Sequence, residues 1–378
     1  MKYFLSFCLL LFLQTNLSAQ NFAVTGTVVD ASTKLPLTGV NVFINNTTKF
    51  SVTNDSGRFK ITDITDENFE VVCAIKGYET INYLYKVSPR NYSIRFEVVK
   101  TKKEKQVSDS ALKINRRTWE TTFLNDLLGD AAAPNCEVTN MEALRFYHID
   151  SIKELHVYLT EPLIIFNEAL GFMMQCSFND FGFDYSRNGD NKIFTWYKPL
   201  TSKSPTVILR WIKEREMVYE NSILRFMRAL YVDSLMQQGF QIKFITRIHR
   251  TDSDFNRIGT IMKETNTEVC DLGNAVPGTK KNYIDLIDKK QIPSSRFRNA
   301  DSVVSFELHN KILYVFNSKG SKKYENNSML IAPISFLSIG GNQKIIIEPS
   351  GAFYDPTDVV LSGYWSNQKL GSLLPTDY

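Results

Sequence analysis

The sequence predicts a mostly β chain: an N-terminal β-sandwich followed by an α+β part. Two observations carry the first half of that statement and one carries the second. From Val24 to Ile64 apolar and polar residues alternate, the period of a strand with one buried face. Clusters of turn residues interrupt the alternation about every 8–12 residues, the spacing of short antiparallel strands in a sandwich. Beyond residue 118, helical periodicity stands between strand-like runs.

Val24, Gly26 and Val28 define the first strand, which stops in the polar stretch Asp30 to Pro36. Val40, Val42 and Ile44 define the second. Asn45-Asn46-Thr47-Thr48 is a turn, because Asn tolerates positive φ. Phe50 and Val52 form a short third strand. Asn54-Asp55-Ser56-Gly57 turns the chain again, and Phe59 and Ile61 resume the alternation. Glu70 to Ile75, Thr80 to Tyr85 and Tyr92 to Val99 complete the sandwich, with Lys76-Gly77-Tyr78 as a turn.

Over these residues the chain resembles the carboxypeptidase regulatory-like domain, a transthyretin-like seven-stranded sandwich. The resemblance rests on Gly26, Val28 and Asp30; on Thr33, Pro36, Leu37, Gly39, Val40 and Val42; and on Thr53, Gly57, Phe59 and Ile61. In that family the domain accompanies peptidases or outer-membrane transporters and carries no catalytic residues. The resemblance implies a structural or recognition module exported to the cell envelope, often in Bacteroidetes-type bacteria. The domains expected are a leader over 1–20, the sandwich over 21–99, a basic linker over 100–117 and an α+β domain over 118–378.

The linker is read from its charge: Lys100, Lys102, Lys103, Lys105, Lys113, Arg116 and Arg117 against Glu104 and Asp109. Such a run is a solvated connection or a site for acidic lipid or polysaccharide. Thr118 to Leu128 puts Trp119, Phe123, Leu124, Leu127 and Leu128 on one helical face, and Gly129 can cap it. Strands are expected over Leu155–Leu159, Leu163–Phe166, Gly171–Ser177, Phe181–Ser186 and Lys192–Tyr197, the last two joined by an Asn188-Gly189 hairpin turn. Thr206 to Leu209 reads as a strand. Asn221 to Gln238 reads as one helix capped by Asn221, with Leu224, Met227, Leu230 and Leu235 on its apolar face. Phe240 to Ile248 is a strand, and Thr251 to Gly278 is polar and poorly patterned. Val303–Leu308 and Lys311–Asn317 read as a hairpin around His309-Asn310. Ile334–Ile339, Lys344–Glu348 and Asp358–Leu361 are further strands. This second part also resembles a block found beside the same first domain in envelope proteins, through Glu161 to Ile165, Asn167 to Gly171, Gly363-Tyr364-Trp365 and Leu373 to Tyr378. That resemblance implies no chemistry.

Met1 to Gln20 has the form of a secretory leader: Lys2, an apolar run from Phe4 to Leu13, then Ser18-Ala19 for cleavage near Ala19. The expected location is the periplasm or in association with the outer membrane. No later run reaches the roughly 18 apolar residues of a spanning helix. Cys73, Cys136, Cys176 and Cys270 are far apart with no C-x-x-C pair, which excludes a zinc knuckle or thioredoxin motif and leaves one disulfide compatible with export. A net charge of +4 is too small to argue for nucleic acid.

The chemistry-bearing motifs are missing. His148, His156, His249 and His309 have none of the spacings that hold catalytic zinc. Neither G-x-S-x-G nor G-x-G-x-x-G occurs. Gly273 to Gly278 with Thr279-Lys280 reverses the order a phosphate loop needs. Asp184, Ser186, Asn188 and Gly189 begin like a calcium loop, but Thr195 stands where a bidentate Glu is required. No catalytic, cofactor-binding or metal-ligating residue is therefore nominated, and no cofactor. The leading expectation is a non-enzymatic envelope protein that binds a protein or a glycan. The alternative is a hydrolase with an unrecognised carboxylate site in 118–378, for which Glu161 and Asp180 are candidates. An outer-membrane barrel has too few long alternating strands.

Overall fold

The computed structural model describes residues 22–86, 92–101, 109–149, 154–182, 192–249, 253–270, 283–298, 305, 306, 308, 311–320, 333–339, 345–353 and 359–378. The expected leader, the Asn188-Gly189 turn, Gly273 to Lys280 and His309 lie outside the described residues.

The first seven strands are β1 (Phe22–Asp30), β2 (Asn41–Ile44), β3 (Phe50–Val52), β4 (Arg58–Ile64), β5 (Asn68–Ala74), β6 (Ile81–Lys86) and β7 (Tyr92–Val98). They make two facing sheets, β4-β1-β7 and β3-β2-β5-β6, with β1 and β7 parallel. Val24, Val28, Val42, Val71, Phe96 and Val98 are fully buried between them. The residues of the expected pattern have physical jobs. A Cβ at Gly26 would lie 2.1 Å from the Ile94 carbonyl oxygen and against the Phe59 ring. Gly57 turns with φ +68. The Thr53 hydroxyl donates to the Leu37 carbonyl at 2.7 Å and accepts from the Val40 N–H at 2.9 Å. The Asp30 carboxylate accepts from Ser32 N–H and Thr33 N–H at 2.8 and 2.9 Å and from the Tyr78 hydroxyl at 2.9 Å. It also accepts from the Ser32 hydroxyl, and these bonds hold it well below the usual carboxylate range, the Ser32 side chain contributing most.

Helix α1 (Asp109–Leu128) follows. It starts within the expected linker, so the linker reading of 100–117 is corrected at its C-terminal half. A charge run does not stop a helix; Ala111, Leu112, Lys113, Arg116 and Arg117 are all good helix formers. Phe123, Leu127 and Leu128 bury its inner face.

Next come β8 (Cys136–Val138), β9 (Leu144–Ile149), β10 (Glu154–Leu159), β11 (Leu163–Asn167), β12 (Phe172–Ser177), β13 (Phe181–Gly182) and β14 (Phe194–Pro199). They form the sheets β13-β10-β9 and β14-β12-β11-β8. The expected hairpin between Phe181–Ser186 and Lys192–Tyr197 is therefore corrected: β13 pairs with β10 and β14 with β12. A tight turn favours but does not impose pairing, and the longer register with β12 wins. Helix α2 (Pro205–Glu220) replaces the strand expected over Thr206–Leu209. The β-branched start misleads there; Pro205 at the first turn and the helix-forming residues that follow decide it. Trp211 packs flat against Gly171, where a Cβ would come within 2.4 Å of the indole, and donates to the Glu168 carbonyl at 2.9 Å. Helix α3 (Ile223–Tyr231) is shorter than the expected Asn221–Gln238 and is capped by Ser222, whose hydroxyl accepts from Arg225 N–H at 3.1 Å. Of its expected face Leu224, Met227 and Leu230 are buried, and so is Leu235 beyond the helix; Phe226 and Ala229, outside that face, are buried as well.

That face packs on a six-stranded sheet. Its strands are β15 (Phe240–His249), β16 (Thr267–Cys270), β17 (Tyr283–Asp288), β19 (Lys311–Asn317), β20 (Ile334–Ile339) and β22 (Val359–Gly363), in the order β16-β17-β15-β19-β20-β22. Helix α4 (Ile258–Thr265) and β16 occupy the stretch expected to be unpatterned. A two-stranded sheet joins β18 (Ser305–Phe306) to β21 (Ile345–Ile346). The expected hairpin around His309-Asn310 is thus corrected, since β19 pairs with β15 and β20 instead. Among the described residues no helix is long and apolar enough to cross a membrane.

The sandwich and the second part share a seam. Val71 and Cys73 point into the sandwich, and Val72 and Ala74, one step on, point out. There they join Phe43, Phe194 and Trp196 in a separate buried cluster. The Phe50 ring stacks on Trp196 with centroids 4.1 Å apart. The expected turn at 45–48 is also a ladder: Asn46 N–H donates to the Thr195 carbonyl at 2.7 Å, and Tyr197 N–H to the Thr47 carbonyl at 2.9 Å. The C-terminal residues close the seam. Thr376 N–H donates to the Asn46 carbonyl at 2.6 Å, and the Thr48 hydroxyl to the Asp377 carboxylate at 2.6 Å. Arg228 holds this segment through the Thr376 carbonyl at 2.9 Å.

Candidate functional site

Two clefts open on the seam. The first, of about 310 Å³, lies between the 44–47 turn, the start of α3 and the C-terminal segment. Phe69, Leu224, Trp365 and Leu374 give it apolar walls. Three of its lining residues carry a buried polar atom without a hydrogen-bond partner among the described residues: Asp66 Oδ1, the Tyr197 hydroxyl and Gln368 Oε1. Each such atom costs about 1–3 kcal/mol when left unmet. Burial pushes the Tyr197 phenol up, so it stands as a neutral donor. Burial also raises Asp66, whose second oxygen accepts from the Ser350 hydroxyl at 2.6 Å. Glu348, 4% exposed, is raised mainly by burial and further by Asp66. It accepts from Glu67 N–H at 3.1 Å and from the Asn68 amide. Glu70 at the rim is satisfied by Lys192 at 2.8 Å and Asn45 at 2.8 Å. The cleft thus combines an apolar lining, matched rim charge and unmet hydrogen-bonding atoms, which suits a hydroxylated ligand.

The second cleft, of about 320 Å³, lies where Tyr78 to Thr80 meet the ends of β10 and β12. Glu161 and Asp180, nominated from the sequence as a carboxylate pair, both line it. Asp180 accepts from the Tyr147 hydroxyl at 2.8 and 2.7 Å and lies 3.2 Å from His156 Nδ1. Glu161 pairs with Lys76 at 3.1 Å. Their partners are a phenol, an imidazole and an ammonium, which position the carboxylates. No nucleophile follows from this arrangement.

The other sequence candidates are dispersed. His156 lies in register with Tyr147, and His148 with Leu155, on the paired strands β9 and β10. His249 packs on the Tyr283 ring. Among the described residues no group of three His, Cys, Asp or Glu could hold a metal ion. Among the described residues Cys73, Cys136 and Cys176 are free thiols. Burial raises Cys176 to about 12 and Cys136 to about 11, and it raises Cys73 as well, so these thiols are protonated and unreactive. Asp66, Tyr197 and Gln368 were not anticipated. They come from three distant segments, and no local spacing announces their meeting.

The fold is a transthyretin-like sandwich joined to an α+β part. Residues 24–110 match the CarboxypepD_reg-like domain family, so the chain carries such a domain. No curated protein matches the chain. A type II cohesin–X-dockerin complex from Acetivibrio cellulolyticus is similar at 23% identity, over 21% of this chain and 58% of that one, with a TM-score of 0.19. A minor pilin of Streptococcus agalactiae is similar at 19% identity, over 24% and 48%, with a TM-score of 0.17. A candidate carbohydrate-binding protein from Bacteroides uniformis is similar at 8% identity, over 90% and 98%, with a TM-score of 0.18. This chain spans roughly half the length of the first two. Likeness at these TM-scores assigns neither fold nor function.

Proposed function

We propose that this is a non-enzymatic, exported cell-envelope protein that binds a glycan in the first seam cleft. The reading includes a leader removed near Ala19, a sandwich over 21–99 and an α+β unit over 118–378. What supports it is one observation: Asp66, Tyr197 and Gln368 each present an unmet buried polar atom on the wall of an otherwise apolar cleft. A sugar ring offers C–H faces to such walls and hydroxyls to such atoms. The hydrolase alternative, with Glu161 and Asp180 as its carboxylates, is weaker, because Tyr147 and His156 engage Asp180 and Lys76 engages Glu161.

The test is calorimetry of the mature protein against soluble malto-, cello- and chito-oligosaccharides. At least one should bind, and Tyr197→Phe, which removes a hydroxyl that has no partner among the described residues, should weaken it about tenfold. Hydrolysis of the bound sugar, abolished by Asp66→Asn, would put the enzyme in its place. Absence of binding by all three would remove the glycan.

A further inference from the structure

We infer that the second seam cleft is a receptor for an ammonium group carried on a basic peptide. It is separate from the glycan cleft and does not rest on it. The charge is the first observation. Glu79, Glu161 and Asp180 line one hollow. Asp180 has its phenol and imidazole neighbours, and Glu161 has Lys76. Glu79 is half-buried, and its carboxylate has no partner among the described residues. A carboxylate withdrawn from water attracts an opposite charge more strongly than an exposed one.

The second observation is independent of charge. Ser177, 1% exposed, belongs to the wall of this cleft, and its hydroxyl lacks a partner among the described residues. A hydroxyl is an acceptor for N–H as well as a donor. The third is a stand-in already present. Lys76 places its own ammonium 3.1 Å from Glu161, although its side chain is 73% exposed and has no other anchor among the described residues. The rim therefore accepts an ammonium, and the one it holds can swing away. Tyr158 adds a ring to the wall, the surface on which a cation's methylene stem or charge rests. The cleft's length of chain on either side is fixed, since Asn179 clamps Thr80 through its N–H at 2.7 Å and its carbonyl at 2.8 Å.

The chain as a whole carries +4, so a polycation gains nothing from the overall field. Any affinity for it must be local. That makes the inference testable with penta-lysine and its fully acetylated counterpart, titrated into the full mature protein. Penta-lysine should bind and the acetylated peptide should not. Glu79→Gln should weaken binding about tenfold. Lys76→Ala should tighten it about two- to fivefold, the range an exposed ion pair is worth, because it removes the internal competitor. Glu97→Gln, a change at an exposed acid on the far sheet, should leave binding unaltered. Melting curves of each variant show whether it is folded; Glu79 and Lys76 are far enough from the core for both to be. Equal binding of the two peptides, no binding by either, equal effects of Glu79→Gln and Glu97→Gln, or weaker binding by Lys76→Ala would each overturn the assignment.

Discussion

The two faces of the sheet β3-β2-β5-β6 differ in what covers them. Its inner face packs on the other sheet of the sandwich, within one continuous stretch of sequence. Its outer face, with Phe43, Val72 and Ala74, is covered by Phe194 and Trp196 from far along the chain. The inner face makes the sandwich a fold, whereas the outer face makes it part of a larger body. A domain boundary drawn from sequence at 99 follows the first face and cuts across the second.

The comparison can be broken most severely on the inner side. Val42 is fully buried between the sheets. Val42→Asp should abolish the cooperative thermal transition, because it buries an unpaired charge. A retained transition would mean that the inner face tolerates water. On the outer side Trp196 is 4% exposed, and Trp196→Ala should cost about 3–5 kcal/mol in denaturant unfolding. If the loss is much smaller, the seam is a loose contact and the two parts are separate domains. Leu230, 1% exposed on α3, tests the core under the six-stranded sheet, and Leu230→Ala should cost about 2–5 kcal/mol. An unchanged midpoint would place the face of α3 outside the core.

Acidity should separate the two regions with opposite signs. Asp30 in the sandwich has a lowered pKa, so the native state binds fewer protons there than the unfolded chain. Its contribution is present above the usual carboxylate range and is lost as pH falls below it. Asp66 and Glu348 at the seam have raised pKa values. Their native forms hold protons that the unfolded chain releases, so stability falls as pH rises from the usual carboxylate range through the raised values. Melting temperatures followed across pH should show Asp30→Asn flattening the acid limb and Glu348→Gln flattening the decline above it. Identical profiles for both variants would erase the distinction.

Much of this architecture was legible, and the unread part has a pattern. Alternation and turn chemistry announce the sandwich because each strand carries its signal locally. The seam had a signal too: Val71-Val72-Cys73-Ala74 is a continuous apolar run, the mark of a strand covered on both sides. What covers it was not legible, because Trp196 reads as an ordinary strand aromatic. Thr206 to Leu209 shows the limit of a short window, where four β-branched or apolar residues outweigh the helix formers behind them. The Asn188-Gly189 and His309-Asn310 hairpins failed for another reason. A turn residue reports a bend, and the strands on either side found better partners elsewhere. The first cleft is least legible of all, since Asp66, Tyr197 and Gln368 become neighbours only after the six-stranded sheet is in place.

The bond from Thr376 to Asn46 joins residues 330 positions apart. Closing so long a loop is slow relative to the local pairing of strands. A chain that emerges from its N-terminus completes the sandwich early and then waits, with Phe43 and Val72 bare, for the remainder to arrive. For that interval an apolar sheet face is open to any other copy in the same condition. Survival of the nascent protein then depends on how quickly Phe194 and Trp196 reach that face, so a chain interrupted before β14 should show itself as aggregation.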